Sequence, residues 1–107
     1  MSGSDSSVRR PGPGGGEDQA CPDNLPNVLG SPNPDAISTL NVGDILDVVR
    51  IDEPVRGVVA QTLEGEIVGT ITQSIALLRR CLGEGVLYEA EITRITGGSV
   101  SVTVRQR

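Results

Sequence analysis

The sequence lacks most of the side chains that enzymes use for proton transfer and nucleophilic attack. Its 107 residues include no His and no Lys, which leaves no imidazole base, no Schiff-base lysine and no P-loop lysine. It has two Cys, whereas a zinc site normally needs four Cys or His ligands. We therefore expect no enzymatic activity, no catalytic residue, no cofactor and no metal.

Aromatic residues and positive charge are also scarce. There is no Phe and no Trp, and Tyr88 is the single aromatic residue, whereas single-stranded nucleic acids usually stack on several aromatic side chains. The net charge is −5, with −3 on residues 1–39 and −2 on residues 40–107. A nucleic-acid-binding domain is normally basic. The composition thus favours a protein partner over a nucleic acid.

No apolar run approaches the length of a membrane span, and no apolar segment follows the charges near the N-terminus. We expect a cytoplasmic protein with no membrane contact, and Arg without Lys suggests a bacterial, GC-rich genome. Without an export signal, Cys21 and Cys81 are expected to be free thiols. A Cys21–Cys81 disulfide is the alternative.

Residues 1–30 are rich in Gly, Pro and Ser and predict a disordered tail. Residues 21–32 are ambiguous, because their three large apolar side chains also fit an extended segment that packs on the domain. We call this segment the strap. Order is expected from residue 33, with Asn33 as the N-cap of a short helix. Residues 33–107 then form a single domain.

The apolar spacing from residue 43 onward predicts five strands and one main helix. Strands are expected at residues 43–51, 55–63, 66–71, 86–95 and 99–107. The helix is expected to follow an N-cap at Thr72 and to end before Gly83. Gly97–Gly98 predicts a tight hairpin. The fold class is α+β, a small, mostly antiparallel, barrel-like sheet in the order (α)βββαββ.

Two sets of charged residues are candidate sites. The acids Asp44, Asp47, Asp52 and Glu53 fit turns and solvated edges, with a divalent cation site as the alternative. Most arginines fit surface ion pairs. A guanidinium can also bind a phosphate or a carboxylate, and four arginines are the candidate partner contacts: Arg56, Arg79, Arg80 and Arg94. Arg94 continues the inward alternation of its strand and is the preferred one.

Residues 64–95 resemble the second half of the HIRAN domain, a small β-barrel module that is attached to some helicases. The matching positions are Gly65, Val68, Gly69, Leu78, Leu82, Gly85, Ala90 and Ile95. The resemblance implies a barrel-like fold and binding of single-stranded DNA ends.

The sequence thus leaves three functions open. The preferred one is a non-catalytic interaction module that binds a protein through a sheet edge or a hairpin surface, with a homodimer as one form of it. The alternatives are a HIRAN-like nucleic-acid end binder and a ubiquitin-like modifier. The last rests on the missing lysines, because lysine accepts isopeptide bonds, and on a sheet with one helix.

Overall fold

The computed structural model describes residues 20–107, and the predicted disorder of residues 1–19 lies outside them. The elements in chain order are β1 (Leu25–Val28), α1 (Pro34–Ile37), β2 (Ile45–Ile51), β3 (Gly57–Gln61), β4 (Ile67–Thr70), α2 (Ile75–Gly83), β5 (Tyr88–Thr96) and β6 (Ser99–Gln106). The predicted α+β, mostly antiparallel, barrel-like fold is confirmed. The strand count and order were wrong, because the strap before α1 is a sixth strand.

All strand pairs are antiparallel, and the order across the sheet is β1-β6-β5-β2-β3-β4. Strands β2, β3 and β4 form a meander, and β5 returns to pair with β2, which is a Greek-key connection. The sheet curls until its two edges meet. Gly30, just after β1, exchanges two backbone hydrogen bonds with Thr70 of β4, at 2.8 and 2.9 Å.

The hairpin of β5 and β6 follows the predicted alternation. Tyr88, Ala90 and Ile92 point into the core together with the valines of β6 at positions 100, 102 and 104, and in the register Ala90 pairs with Val104 and Ile92 with Val102. Gly97 turns the chain with a φ of +60°, in the left-handed region that favours glycine. The core is almost wholly aliphatic, as the composition requires.

A bulge in β5 corrects the predicted orientation of Arg94. Ile92 pairs with Val102 but Arg94 pairs with Ser101, so Thr93 is an extra residue in the strand. One extra residue reverses the alternation. Arg94 is therefore exposed, while Ile95 packs against the core.

The strap and α2 are joined covalently. Cys21 and Cys81 form a disulfide, with their Cα atoms 5.8 Å apart, so the expectation of free thiols was wrong. The strap runs antiparallel to β6, and this brings Cys21 to the buried face of α2. The hydroxyl of Tyr88 donates a 2.7 Å hydrogen bond to the carbonyl oxygen of Pro22.

The two helices begin differently. Asn33 caps α1 as predicted, and its side chain accepts a 3.0 Å hydrogen bond from the Asp35 amide. The predicted N-cap of α2 at Thr72 was wrong, since Ser74 occupies that position. Thr72 instead ties the strap, because its amide donates to Asn27 Oδ1 and its hydroxyl donates to the Val28 carbonyl. No helix within residues 20–107 has the length and apolar character needed to cross a membrane.

Replacing Gly69 by Ala is expected to destabilise the closure of the sheet. An added Cβ would lie 2.9 Å from Leu29 Cβ and 3.0 Å from the Gly30 carbonyl oxygen. Overpacking of this kind costs about 1–3 kcal/mol of unfolding free energy, to be measured by urea denaturation. Gly57→Ala, in open space, is the control. Equal losses in both variants would contradict the close-approach argument.

Reduction of the disulfide is expected to lower the free energy of unfolding by about 2–4 kcal/mol, because the bond limits the unfolded chain. The measurement is urea denaturation with and without reductant. A Cys21→Ala/Cys81→Ala variant is the control and should not respond to reductant. If the wild-type protein is equally stable in both conditions, the disulfide does not hold the strap.

Candidate functional site

Arg79 on α2 organises one end of the barrel. Its Nη1 donates to the carbonyl oxygens of Ile51 (2.6 Å) and Gly57 (2.9 Å), and its Nη2 donates to Asp52 Oδ1 at 2.7 Å. The side chain of Arg79 is 11% exposed, so these bonds are shielded from water on the arginine side. Arg79 therefore holds both ends of the β2–β3 loop, residues 52–56, against α2. We call these three hydrogen bonds the Arg79 clamp, or the clamp.

The clamp also changes the pKa of the Asp52 carboxylate. The hydrogen bond from Arg79 holds the pKa of Asp52 below its ordinary value of 3.8, against a smaller opposing effect of desolvation. The charges of Arg50, Arg79 and Arg56 lower this pKa further. Arg50 is the second ion-pair partner, with its Nε 3.8 Å from Asp52 Oδ1.

The four predicted contact arginines do not form one site. Arg79 is engaged in the clamp, and Arg56 belongs to the loop that the clamp holds. Arg80 forms an ion pair with Glu84 at 3.4 Å. Arg94 lies near the opposite end of the sheet, because Tyr88 pairs with Val48 late in β2 and six further residues of strand span about 20 Å.

Arg94 lines a shallow polar depression at the β5–β6 hairpin. Its Nε donates to Thr96 Oγ1 at 3.1 Å, and the depression of about 240 Å³ is otherwise lined by Thr96, Ser99 and Ser101. It contains one charged side chain and no apolar floor. This arrangement offers little to hold a ligand.

The outer face of β5 and β6 is covered by ion pairs. Arg105 bridges Glu89 (2.7 Å) and Glu91 (2.6 Å), and Arg107 lies 3.2 Å from Asp47 Oδ1. Solvent screens such exposed pairs, so each contributes little to stability. They give this face a mixed polar surface rather than a binding patch of one sign.

The predicted acidic cluster is dispersed. Asp44 accepts a hydrogen bond from the Asn41 amide in a turn, whereas Asp47 and Asp52 pair with separate arginines. Within residues 20–107, no three acidic or cysteine side chains lie close enough together to hold a metal ion. The geometry favours the turn and edge roles of these acids.

An apolar groove lies between the β2–β3 loop and the start of α2. It encloses about 310 Å³. Val58 and Ile71, 1% and 2% exposed, form its floor, and Val55 and Ile75, 68% and 36% exposed, form its walls. We call it the Val55–Ile75 groove. Its lining residues are Ile51, Val55, Arg56, Gly57, Val58, Thr70, Ile71, Thr72 and Ile75.

Arg56 supplies the charge at this groove. It is exposed, and among residues 20–107 no carboxylate lies within ion-pair distance of it. The other arginines beside the loop, Arg50 and Arg79, both contact Asp52. Arg56 is thus the cation available to a bound molecule.

Sequence reasoning named Arg56 but missed the apolar walls of the groove. Ile75 shares a helical spacing with the buried Leu78, yet it is 36% exposed at the start of α2. Val55 was placed in a strand, whereas it lies in the loop before β3. Pro54, immediately before Val55, was the available signal for a loop there.

The described residues form a small, mostly antiparallel, barrel-like sheet with a partly apolar recess beside the β2–β3 loop. A comparison with protein-family models, with curated proteins and with solved structures found no match. The resemblance to the HIRAN domain therefore stays a prediction.

The clamp predicts a pH-dependent contribution of Asp52 to stability. A carboxyl whose pKa is lowered in the folded chain stabilises the fold above its ordinary pKa, and the effect is lost as the pH falls through the lowered value. Asp52→Asn should therefore lower Tm at pH 7, and the difference from wild type should shrink as the pH is taken below the ordinary Asp pKa and through the lowered one. Thermal unfolding across this pH range measures it.

Glu53→Gln is the matched control, because Glu53 forms no ion pair within residues 20–107. Its Tm should follow that of the wild type at every pH. A Tm difference for Asp52→Asn that does not change with pH would refute the role of the Asp52 charge.

Proposed function

We propose that the protein is a non-catalytic interaction module, and that it binds a protein segment in the Val55–Ile75 groove. The segment carries an exposed apolar side chain next to a carboxylate. The observation that carries this proposal is the combination of an apolar recess with an unpaired arginine at its rim.

The apolar walls support a binding role. An exposed apolar side chain alone is ordinary, but Val55 and Ile75 both line a recess whose other apolar lining residues, Val58 and Ile71, are already buried. An apolar side chain inserted between them would leave water without requiring a rearrangement of the core. Such preformed pockets hold the anchor residues of many interfaces.

The charge at the rim supports an acidic partner. Guanidinium groups pair with carboxylates through two parallel hydrogen bonds, and Arg56 has no competing ion pair among the described residues. An acidic residue beside the apolar anchor would give the complex both orientation and salt dependence.

The hairpin surface is a better candidate than the sheet edge. Addition of a strand needs a row of free backbone groups at an edge. Here the Gly30–Thr70 bridge joins the edges, and the Asn27 side chain accepts hydrogen bonds from the Thr72 and Gln73 amides beside β1. We therefore assign the contact to the groove at the β2–β3 loop.

The two other functions stay predictions. Binding of single-stranded DNA ends would draw on Arg56, Arg79, Arg80 and Arg94, but Arg79 is already bonded to three protein acceptors and Arg94 lies near the opposite end of the sheet. The ubiquitin-like role rests on the absence of Lys. The cytoplasmic location also stays a prediction, and the disulfide is a bond that persists in oxidising compartments.

The proposed groove is tested by selecting ligands from a library of random short peptides displayed on phage. Peptides that combine an apolar residue with an acidic neighbour should be enriched. Val55→Asp should weaken their binding about tenfold or more, because a charge in the groove must be desolvated, and Arg56→Glu should weaken it through repulsion. Fluorescence polarisation of a labelled peptide measures both effects.

Val42→Asp is the matched control. Val42 is 61% exposed and lies outside the groove, so this variant should bind the peptide as wild type does. A selection in which no enriched peptide is sensitive to Val55→Asp would refute the proposal. A labelled single-stranded oligonucleotide at low salt tests the nucleic-acid alternative, since phosphate contacts are strongest there.

A further inference from the structure

The β3–β4 hairpin presents a rigid apolar tip. Leu63 is 66% exposed, and Glu64 and Glu66 beside it are also exposed. The Thr62 amide donates to the Glu66 carbonyl at 2.8 Å, and the Glu66 amide donates to the Thr62 hydroxyl at 3.0 Å. The turn therefore fixes the position of an apolar side chain that is largely exposed to water and is followed by two carboxylates.

This tip has the chemistry that the Val55–Ile75 groove recognises. The groove offers apolar walls and the cation of Arg56, while the tip offers the apolar Leu63 and the anions of Glu64 and Glu66. Charge and apolar surface are thus complementary between two parts of the same chain. The tip is short and has no bulky aromatic residue, so its size is compatible with a recess of about 310 Å³.

The two surfaces cannot meet within one molecule. Val55 precedes β3 and Leu63 follows it, so they lie at opposite ends of a five-residue strand. Such a strand is about 17 Å long. The groove of one molecule is therefore reached by the hairpin tip of another.

We propose that a second copy of this chain occupies the groove, with Leu63 of one protomer between Val55 and Ile75 of its partner. Glu64 then pairs with Arg56 across the contact. This inference rests on the proposed function of the groove and names its partner. Because donor and acceptor surfaces differ, a single contact is head-to-tail and leaves one tip and one groove free, so the assembly can grow into rings or open chains.

Complementary variants test the head-to-tail contact. Val55→Asp removes the groove and keeps the tip, whereas Leu63→Asp removes the tip and keeps the groove. By sedimentation velocity, wild-type protein should grow in mass with concentration. Each variant alone should stay monomeric, and a 1:1 mixture should form a heterodimer and grow no further.

Charge reversal provides a second test at exposed positions, where effects on folding are small. Arg56→Glu and Glu64→Arg should each weaken self-association about tenfold. Mixing the two variants should restore association, because the unchanged acidic tip of Arg56→Glu then meets the unchanged basic groove of Glu64→Arg, and the two substituted surfaces are also opposite in charge. The double variant Arg56→Glu/Glu64→Arg should recover wild-type association, and Val42→Asp should associate as wild type does.

Each outcome decides the question. A wild-type protein that stays monomeric up to about 1 mM, the weakest range of specific affinity, overturns the inference. A Leu63→Asp variant that still dimerises overturns it in favour of a two-fold contact. If the phage-selected peptide binds in a Val55-dependent way while the wild type is monomeric, the proposed function stands and self-association fails.

Discussion

The hydrogen bonds of Arg79 determine the shape of the end of the molecule that carries the Val55–Ile75 groove. A long side chain on α2 reaches the backbone on both sides of the β2–β3 loop and the Asp52 carboxylate. A buried guanidinium is tolerated only where its donors are satisfied, and here two carbonyls and a carboxylate satisfy them. The clamp fixes the loop that carries Val55 against the helix that carries Ile75. Without it, the two walls of the groove would have no fixed separation.

Much of the fold follows from local patterns. The alternation around Gly97–Gly98 predicted the β5–β6 hairpin and its buried face, and the Asn33–Pro34 pair predicted the start of α1. These predictions succeeded because each depends on neighbouring residues alone. The strand at Leu25–Val28 was ambiguous for the opposite reason. This segment has few apolar residues, and it forms a strand only because it pairs with β6.

The remaining features depend on contacts between distant residues. The bulge at Thr93 shifts Arg94 to the outside, and nothing in the local alternation marks the extra residue. The disulfide joins positions that are 60 residues apart, and their proximity follows only from the strap's place beside β6. The groove was harder still to predict from the sequence. Val55 and Ile75 line it together only because Arg79 holds the β2–β3 loop against α2.

Tyr88 has a consequence that follows from the scarcity of aromatic residues. It is the single tyrosine in a chain without tryptophan or phenylalanine, and its hydroxyl is bonded to the Pro22 carbonyl beside the disulfide. Its burial raises its pKa above the ordinary value. The aromatic absorption and fluorescence of the protein therefore come from one side chain, which lies where the strap is attached. Detachment of that segment is observable in the native protein without any introduced label.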